Sequence, residues 1–214
     1  MANKSLLVSI LFLLLAIPIV SASGIIVTFD ICSSSDIMED LTLTGNLRAM
    51  RNLLINIKRF LMNNATTVGF EIYKFTGDGW ILLFPEDAKG KFILDFLKEL
   101  SIEFKRLIGR VVGLLETKPN ILGITFGIEK GPLIRIKMVG RKEYIGRAIN
   151  IACRLQNAIK DNDQHPEYKV LISSHAFKEL LKGLDTYSPV RVKRKLRNIR
   201  GGNEYRCIKL NLFA

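Results

Sequence analysis

Gly77-Asp78-Gly79 separates two short apolar runs, Val68–Thr76 and Trp80–Phe84, and constrains the fold more than any other feature of the chain. Two glycines around an aspartate supply the backbone freedom of a tight turn, so the two runs are expected to pair as a hairpin. Segments with helical apolar spacing lie on both sides of it. A long helix is expected from Ser35 or Asp36, either of which can cap it, to about Asn63. Its apolar residues Ile37, Leu41, Met50, Leu53, Leu54, Ile57 and Leu61 recur at three- and four-residue steps. A second helix fits Lys89 to about Val112. Upstream, Gly24–Ile31 (GIIVTFDI) is a β-branched run that reads as a buried strand.

Downstream, Ile121–Lys130 and Pro132–Val139 read as another strand pair broken at Gly131. Gly146 opens a helix of about three turns through Ile159. Val170–Ile172 is a short strand, and Ser173 or Ser174 caps a helix over Ala176–Leu181. Extended stretches near Val190–Ile199 and Tyr205–Leu210 close the chain. The order β-α-β-β-α-β predicts an α+β fold, a ferredoxin-like core with C-terminal additions. That fold hosts many activities and does not select one.

At 214 residues, 48% of them hydrophobic and 24% charged, the chain is long and apolar enough for one globular domain. A net charge of +12 favours anionic partners: nucleotides, nucleic acid or an acidic membrane surface. Cys32, Cys153 and Cys207 are odd in number and far apart, which argues against a disulfide framework or a zinc site and for a reducing compartment. His165 and His175 fall outside metal-ligand spacing and read as surface or cap residues.

Lys4, an apolar run from Leu6 to Val20, and the small residues Ser21-Ala22-Ser23-Gly24 together resemble a secretory signal. Three readings stay open for residues 1–23: an uncleaved anchor associating with a membrane through residues 6–20, a buried or dimer-forming apolar helix (or a mis-assigned start), and, least favoured, export. Residues 24–214 form the expected globular domain. The expected location is the cytoplasm, on the inner membrane face if the run is an anchor.

Asp30 ends an apolar strand, and Asp78 sits at the tip of a hairpin between two others. If those strands are neighbours, both carboxylates converge on one edge of a sheet and can hold two divalent cations. Taken alone, Asp78 reads better as simply the aspartate of a Gly-Asp-Gly turn. A third segment adds weight. Asn150 and Arg154 lie four apart on a helix, so one face presents both.

Glu143–Gln156 (EYIGRAINIACRLQ) resembles the substrate and transition-state helix of class III adenylyl and guanylyl cyclase catalytic domains. Tyr73–Phe84 (YKFTGDGWILLF) resembles the second metal hairpin of that family, Val27–Ile31 (VTFDI) its first metal strand, and Thr125–Gly131 (TFGIEKG) the strand before the helix. Val170–Leu181 (VLISSHAFKELL) resembles the strand and helix that follow. The matching blocks keep the order and spacing of the family from Gly24 to about Leu210.

The resemblance implies a nucleotidyl cyclase working as a homodimer on a nucleoside triphosphate. Asp30 and Asp78 would bind two Mg²⁺ or Mn²⁺ ions, Asn150 would orient the ribose, and Arg154 would offset charge on the α-phosphate. Metal residues would come from one subunit and the Asn150–Arg154 pair from the other. Lys74 and Glu143 match the base-reading positions, but Lys with Glu is neither the adenylyl pattern nor the guanylyl one. Ser33-Ser34-Ser35 stands where the family usually has a Gly-Phe-Thr loop, and Ser33 and Ser34 are expected to cradle phosphate. Arg147 replaces a common Asp. Arg197, in the basic run Arg191–Arg200, stands near a Lys that grips the triphosphate.

The unorthodox base pair, with no sensor domain in these 214 residues, places a pyrimidine cyclase of bacterial anti-phage signalling slightly ahead of an adenylyl cyclase. Such an enzyme would serve a separate cyclic-nucleotide effector protein. Two rivals are a basic module on RNA or DNA and a pseudo-cyclase that binds nucleotide without turnover. The first leaves Asp30 and Asp78 without a purpose and lacks paired exposed aromatics for base stacking, so no nucleic-acid partner is expected. No Walker loop, Rossmann glycine fingerprint or nucleophilic triad is present in the sequence.

Overall fold

A computed structural model describes residues 20–181 and 185–213. Among them, eight strands form one sheet and five α-helices cover it. Strand β1 (Val20–Ile31) is flanked by β3 (Gly79–Pro85) and β4 (Ile124–Met138), both antiparallel to it. Beyond β3 lies β2 (Glu71–Phe75); beyond β4 follow β6 (Lys169–Ser173), β8 (Tyr205–Asn211) and β7 (Val190–Arg194). The order β2-β3-β1-β4 is the ferredoxin-like core, and β6, β8 and β7 are the C-terminal additions.

Because side chains alternate along a strand, β1 feeds two cores. Ile25, Val27, Phe29 and Ile31 join the larger one with α1 (Ser34–Leu43), α2 (Arg48–Val68) and α3 (Gly90–Val112). Ile26 faces the opposite way, toward Ala148 and Ala152 of α4 (Arg147–Lys160). A fifth helix, α5 (Ser174–Leu180), begins at Ser173, whose hydroxyl accepts from Ala176 N at 3.1 Å, as its sequence predicts.

Several expectations are corrected. The long helix from Ser35 is two helices: Gly45 at φ 73 and a bond from Asn46 N to Leu41 O at 2.7 Å close α1 in a Schellman turn. Ile121–Lys130 and Pro132–Val139 are one continuous strand, β4, not a pair. Its hairpin partner is β5 (Arg141–Ile145), reached through a turn at Val139 and Gly140, both with positive φ. Val68 ends α2, so the strand read as Val68–Thr76 shrinks to Glu71–Phe75. The stretch near Val190–Ile199 is a strand only to Arg194.

At the N-terminus, Val20–Ser23, grouped above with the apolar segment, pair with Pro132–Arg135 as the start of β1. The rest of the 6–20 run lies outside the described residues. Among those described, no helix is long and apolar enough to cross a membrane. Cys32, Cys153 and Cys207 are free thiols, and His165 and His175 are exposed.

The seat of α4 depends on Gly127. A Cβ there would lie 2.1 Å from Ala152 O and 2.6 Å from Gln156 N, so only glycine lets the helix backbone rest on β4. Gly127→Ala is expected to destabilise the protein by about 3 kcal/mol, because backbone atoms rather than a flexible side chain must give way. A fall in the thermal unfolding midpoint would show it; an unchanged midpoint would mean that α4 is loosely seated.

Candidate active site

The carboxylates of Asp30 and Asp78 meet at the end of the sheet because β1 and β3 are neighbours. Asp30 pairs in register with Gly79 on one side and Thr125 on the other. A Cβ on Gly79 would fall 2.0 Å from Phe29 O and 2.9 Å from Asp30 Oδ1, so this glycine lets the hairpin tip close onto β1. Asp78 precedes it, and Thr76 N bonds Gly79 O at 3.0 Å to shut the turn. The Ser34 hydroxyl, at the start of α1, donates to Asp78 Oδ2. From α4, Lys160 Nζ donates to Asp30 Oδ2 at 2.6 Å and to Ile31 O at 3.0 Å.

Burial, then the hydrogen bond that its protonated form donates to the neighbouring Asp78, pushes the Asp30 carboxyl up to about 6 despite the pull of Lys160. Burial also works to raise Asp78, but the Asp30 and Ser34 hydrogen bonds and the Lys160 charge hold it below its ordinary value. Below about pH 6, therefore, the pair shares one proton, and it rests on Asp30. The folded Asp30 value lies above the unfolded one, so its contribution to stability is present at low pH and lost as pH rises through about 6. The Asp78 contribution is present above its ordinary value and lost only in stronger acid. In chelator, the unfolding midpoint is therefore expected to fall between about pH 4 and about pH 7, and to fall less in Asp30→Asn. Equal slopes in both proteins would count against the shared proton.

Two buried polar bonds set the position of α4 above this edge: Thr28 Oγ1 donates to Ala152 O at 3.1 Å, and Gln156 Nε2 to Thr125 Oγ1 at 2.7 Å. Ile151, Ala152, Leu155, Ala158 and Ile159 are buried, which leaves Asn150 and Arg154 exposed on the opposite face. The two do not open onto the same groove of the protomer. Asn150 shares one with Pro132, Ile134, Ile145, Arg147 and Arg200. Arg154 lines another, of about 210 Å³, with Asn157, Lys160, Lys195 and Arg197.

Lys74 on β2 and Glu143 on β5 come together, Nζ to Oε2 at 4.0 Å. The register of β2 slips between Ile72 and Lys74, and such a bulge re-aims side chains. The Tyr73 hydroxyl donates to Glu143 Oε2 at 2.8 Å, and the Tyr73 and Tyr144 rings meet edge-on at 5.2 Å. Ser33 precedes α1 in a left-handed conformation, φ 54, and Ser34 opens the helix, where first-turn N–H groups have no intrahelical acceptor. Within one chain, then, Asp30, Asp78 and Ser34 converge, Lys74 and Glu143 converge, and Arg154 and Arg197 share a groove, while Asn150 stands apart.

Sequence reasoning missed Lys160, Tyr73, Lys195 and the α4 anchors Thr28, Thr125 and Gln156. Thr125 and Gln156 lie in quoted blocks, and a polar residue at an otherwise buried helical position was the available signal. In the basic run, Lys193 pairs with Glu204 at 2.8 Å, and Arg194 is mostly buried 3.6 Å from Asp163. The Arg194 charge is thus spent inside the protein, whereas the Lys193–Glu204 pair lies on the surface.

No family model matches the sequence, and no curated protein matches it either. Solved structures do share the fold. A bacterial light-regulated adenylyl cyclase superposes with a TM-score of 0.67 at 16% identity over 92% of this chain, which spans 54% of that one. The adenylyl cyclase CyaB from P. aeruginosa gives 0.64 at 20% identity, covering 89% of this chain and 94% of its own. The guanylyl cyclase Cya2 gives 0.63 at 18% identity, covering 89% and 91%. The chain thus has the α+β fold of adenylyl and guanylyl cyclase domains.

Proposed function

We propose that the protein is a nucleotidyl cyclase that closes a nucleoside triphosphate to its 3′,5′-cyclic nucleotide, the ribose 3′-oxygen displacing diphosphate from the α-phosphorus. The carrying observation is the convergence of Asp30 and Asp78 from adjacent strands, beside a helix that presents Asn150 and Arg154 to solvent. The donor set fits Mg²⁺ or Mn²⁺: two carboxylates and the Ile31 carbonyl are hard oxygen ligands, and an ammonium already bonds Asp30 and Ile31. Two such ions, when bound, would acidify the 3′-hydroxyl and neutralise the phosphates. Among the described residues no cluster of three or more His, Cys, Asp or Glu forms, so further ligands would come from the substrate.

Arg154 would stabilise charge growing on the α-phosphate, and Asn150 would orient the ribose. Ser33, Ser34 and the start of α1 would hold phosphate oxygens, with Arg197 and Lys195 at the far end of the chain of phosphates. An exposed apolar rim on the β4–β5 hairpin, Ile134, Met138, Val139 and Ile145, supports a homodimer. It borders the groove that carries Asn150.

The finer reading is a pyrimidine substrate and a cyclic CMP or cyclic UMP product, acting on a separate effector in anti-phage signalling. Tyr73 supports the first part: its bond to Glu143 and its edge contact with Tyr144 fill space beside the base-reading pair. The cytoplasm, where the substrate is made, is the matching compartment. The test is incubation of purified dimer with Mn²⁺ and each of the four ribonucleoside triphosphates, products identified by mass spectrometry. Cyclic CMP or cyclic UMP establishes the finer reading, and cyclic AMP or cyclic GMP moves the base. No product from any triphosphate overturns the cyclase.

A further inference from the structure

Lys160 does something its position on the helix does not require. A lysine in the last turn of a helix ordinarily complements the exposed carbonyls and the dipole of that helix. Here the side chain crosses instead to β1, where Nζ reaches Asp30 Oδ2 at 2.6 Å and Ile31 O at 3.0 Å. A carboxylate and a carbonyl from consecutive residues are oxygen donors of the kind a divalent cation uses. The pair is partly withdrawn from water, with the Lys160 side chain 30% exposed and that of Asp30 21%. Solvent therefore screens it less than it would a surface pair.

We infer that Lys160 is a resident cation of the carboxylate site, occupying Asp30 and Ile31 in the nucleotide-free chain and opposing the entry of a divalent metal until it is displaced. The inference rests on the proposed cyclase reading, in which Asp30 and Asp78 hold metal. One ammonium charge keeps two carboxylates together in the empty fold, and the same bond must break before a metal can use those oxygens. The displaced ammonium has no ready destination in the bare chain. It lines the groove of Arg154, Lys195 and Arg197, where it meets only like charge apart from Asp161. A bound triphosphate changes that balance, because its oxygens give Lys160 a new anionic partner. Metal entry is thereby tied to substrate arrival, with free-metal binding held weak.

The test is Mn²⁺ titration of the full chain without nucleotide, free metal read by electron paramagnetic resonance, on wild type, Lys160→Met, Lys160→Gln and Asp78→Asn. Methionine keeps the length without the charge. Glutamine still donates to Asp30 and Ile31, which covers the case that Lys160→Met does not fold. Both neutral variants are expected to bind Mn²⁺ about tenfold more tightly than wild type, the change an ion pair of this exposure supports. Binding that Asp78→Asn weakens but that neither Lys160 variant strengthens overturns the inference and leaves the metal site standing. Absence of saturable binding in every protein overturns the inference, and the same absence with a non-cyclisable triphosphate added overturns the metal site as well.

Discussion

Asp78→Asn is expected to lower cyclic-nucleotide formation about a thousandfold or more while leaving the protein folded. Asparagine has the shape of aspartate, and its carbonyl can still accept from the Ser34 hydroxyl that now bonds Asp78. The residue sits half-buried at a hairpin tip outside both main cores, so no packing is lost. Burial is the main cause of the raised Asp30 value, and removing the facing Asp78 charge takes away a smaller contribution to it. The unfolding midpoint in chelator should therefore hold or rise, with a stability change within about 1 kcal/mol. In the proposed cyclase, activity depends on the opposite property, because the charge that burdens the bare fold is the charge that would hold the cations that neutralise a triphosphate. A large loss of rate with no loss of stability is the signature of a residue kept for chemistry. A nucleic-acid module predicts the reverse: loss of a negative charge would leave its binding intact or stronger. Initial rates with Mn²⁺, read beside thermal melts of the same preparations, separate the two.

How far the sequence reached depended on whether each signal was local. The hairpin at Gly77-Asp78-Gly79, the buried run of β1 and the start of α4 after Gly146 are local, and their order predicts the core correctly. Gly131 misled because a glycine in a strand has two meanings. It reads as a break, yet β4 runs straight through it. A Cβ there would sit 3.2 Å from Ala148 Cβ, so the glycine accommodates the first turn of α4. β5 went unread because Arg141–Ile145 is short and mostly polar, and only its pairing with β4 makes it a strand. The site divided in the same way. Asp30 and Asp78 were legible as strand and turn ends. The reach of Lys160 to residues about 130 positions away and the clasp of Tyr73 on Glu143 are tertiary facts that no window of sequence contains.

Mixing two inactive variants is expected to restore about a quarter of wild-type specific activity, and this result would place each active site across a dimer interface. One variant is Asp78→Asn; the other is Asn150→Ala combined with Arg154→Ala. Each homodimer lacks one half of both its sites. Random exchange makes about half of all dimers heterodimers, and by twofold symmetry each of these carries one fully intact site and one that lacks Asp78, Asn150 and Arg154 together. Half of the dimers with half of their sites gives the quarter. The protomer favours this arrangement over a self-contained site, because Asn150 opens onto a groove bordered by the exposed Ile134 and Ile145 rather than toward Asp30. An apolar border of that kind, beside a polar group with no substrate-sized neighbour on its own chain, suits closure by a second copy. If the whole site lay within one chain, neither variant could lend the other what it lacks, and the mixture would stay as inactive as its components. Co-expression with two affinity tags, followed by isolation of the doubly tagged dimer, raises the expected value to about one half and removes exchange rate as a variable.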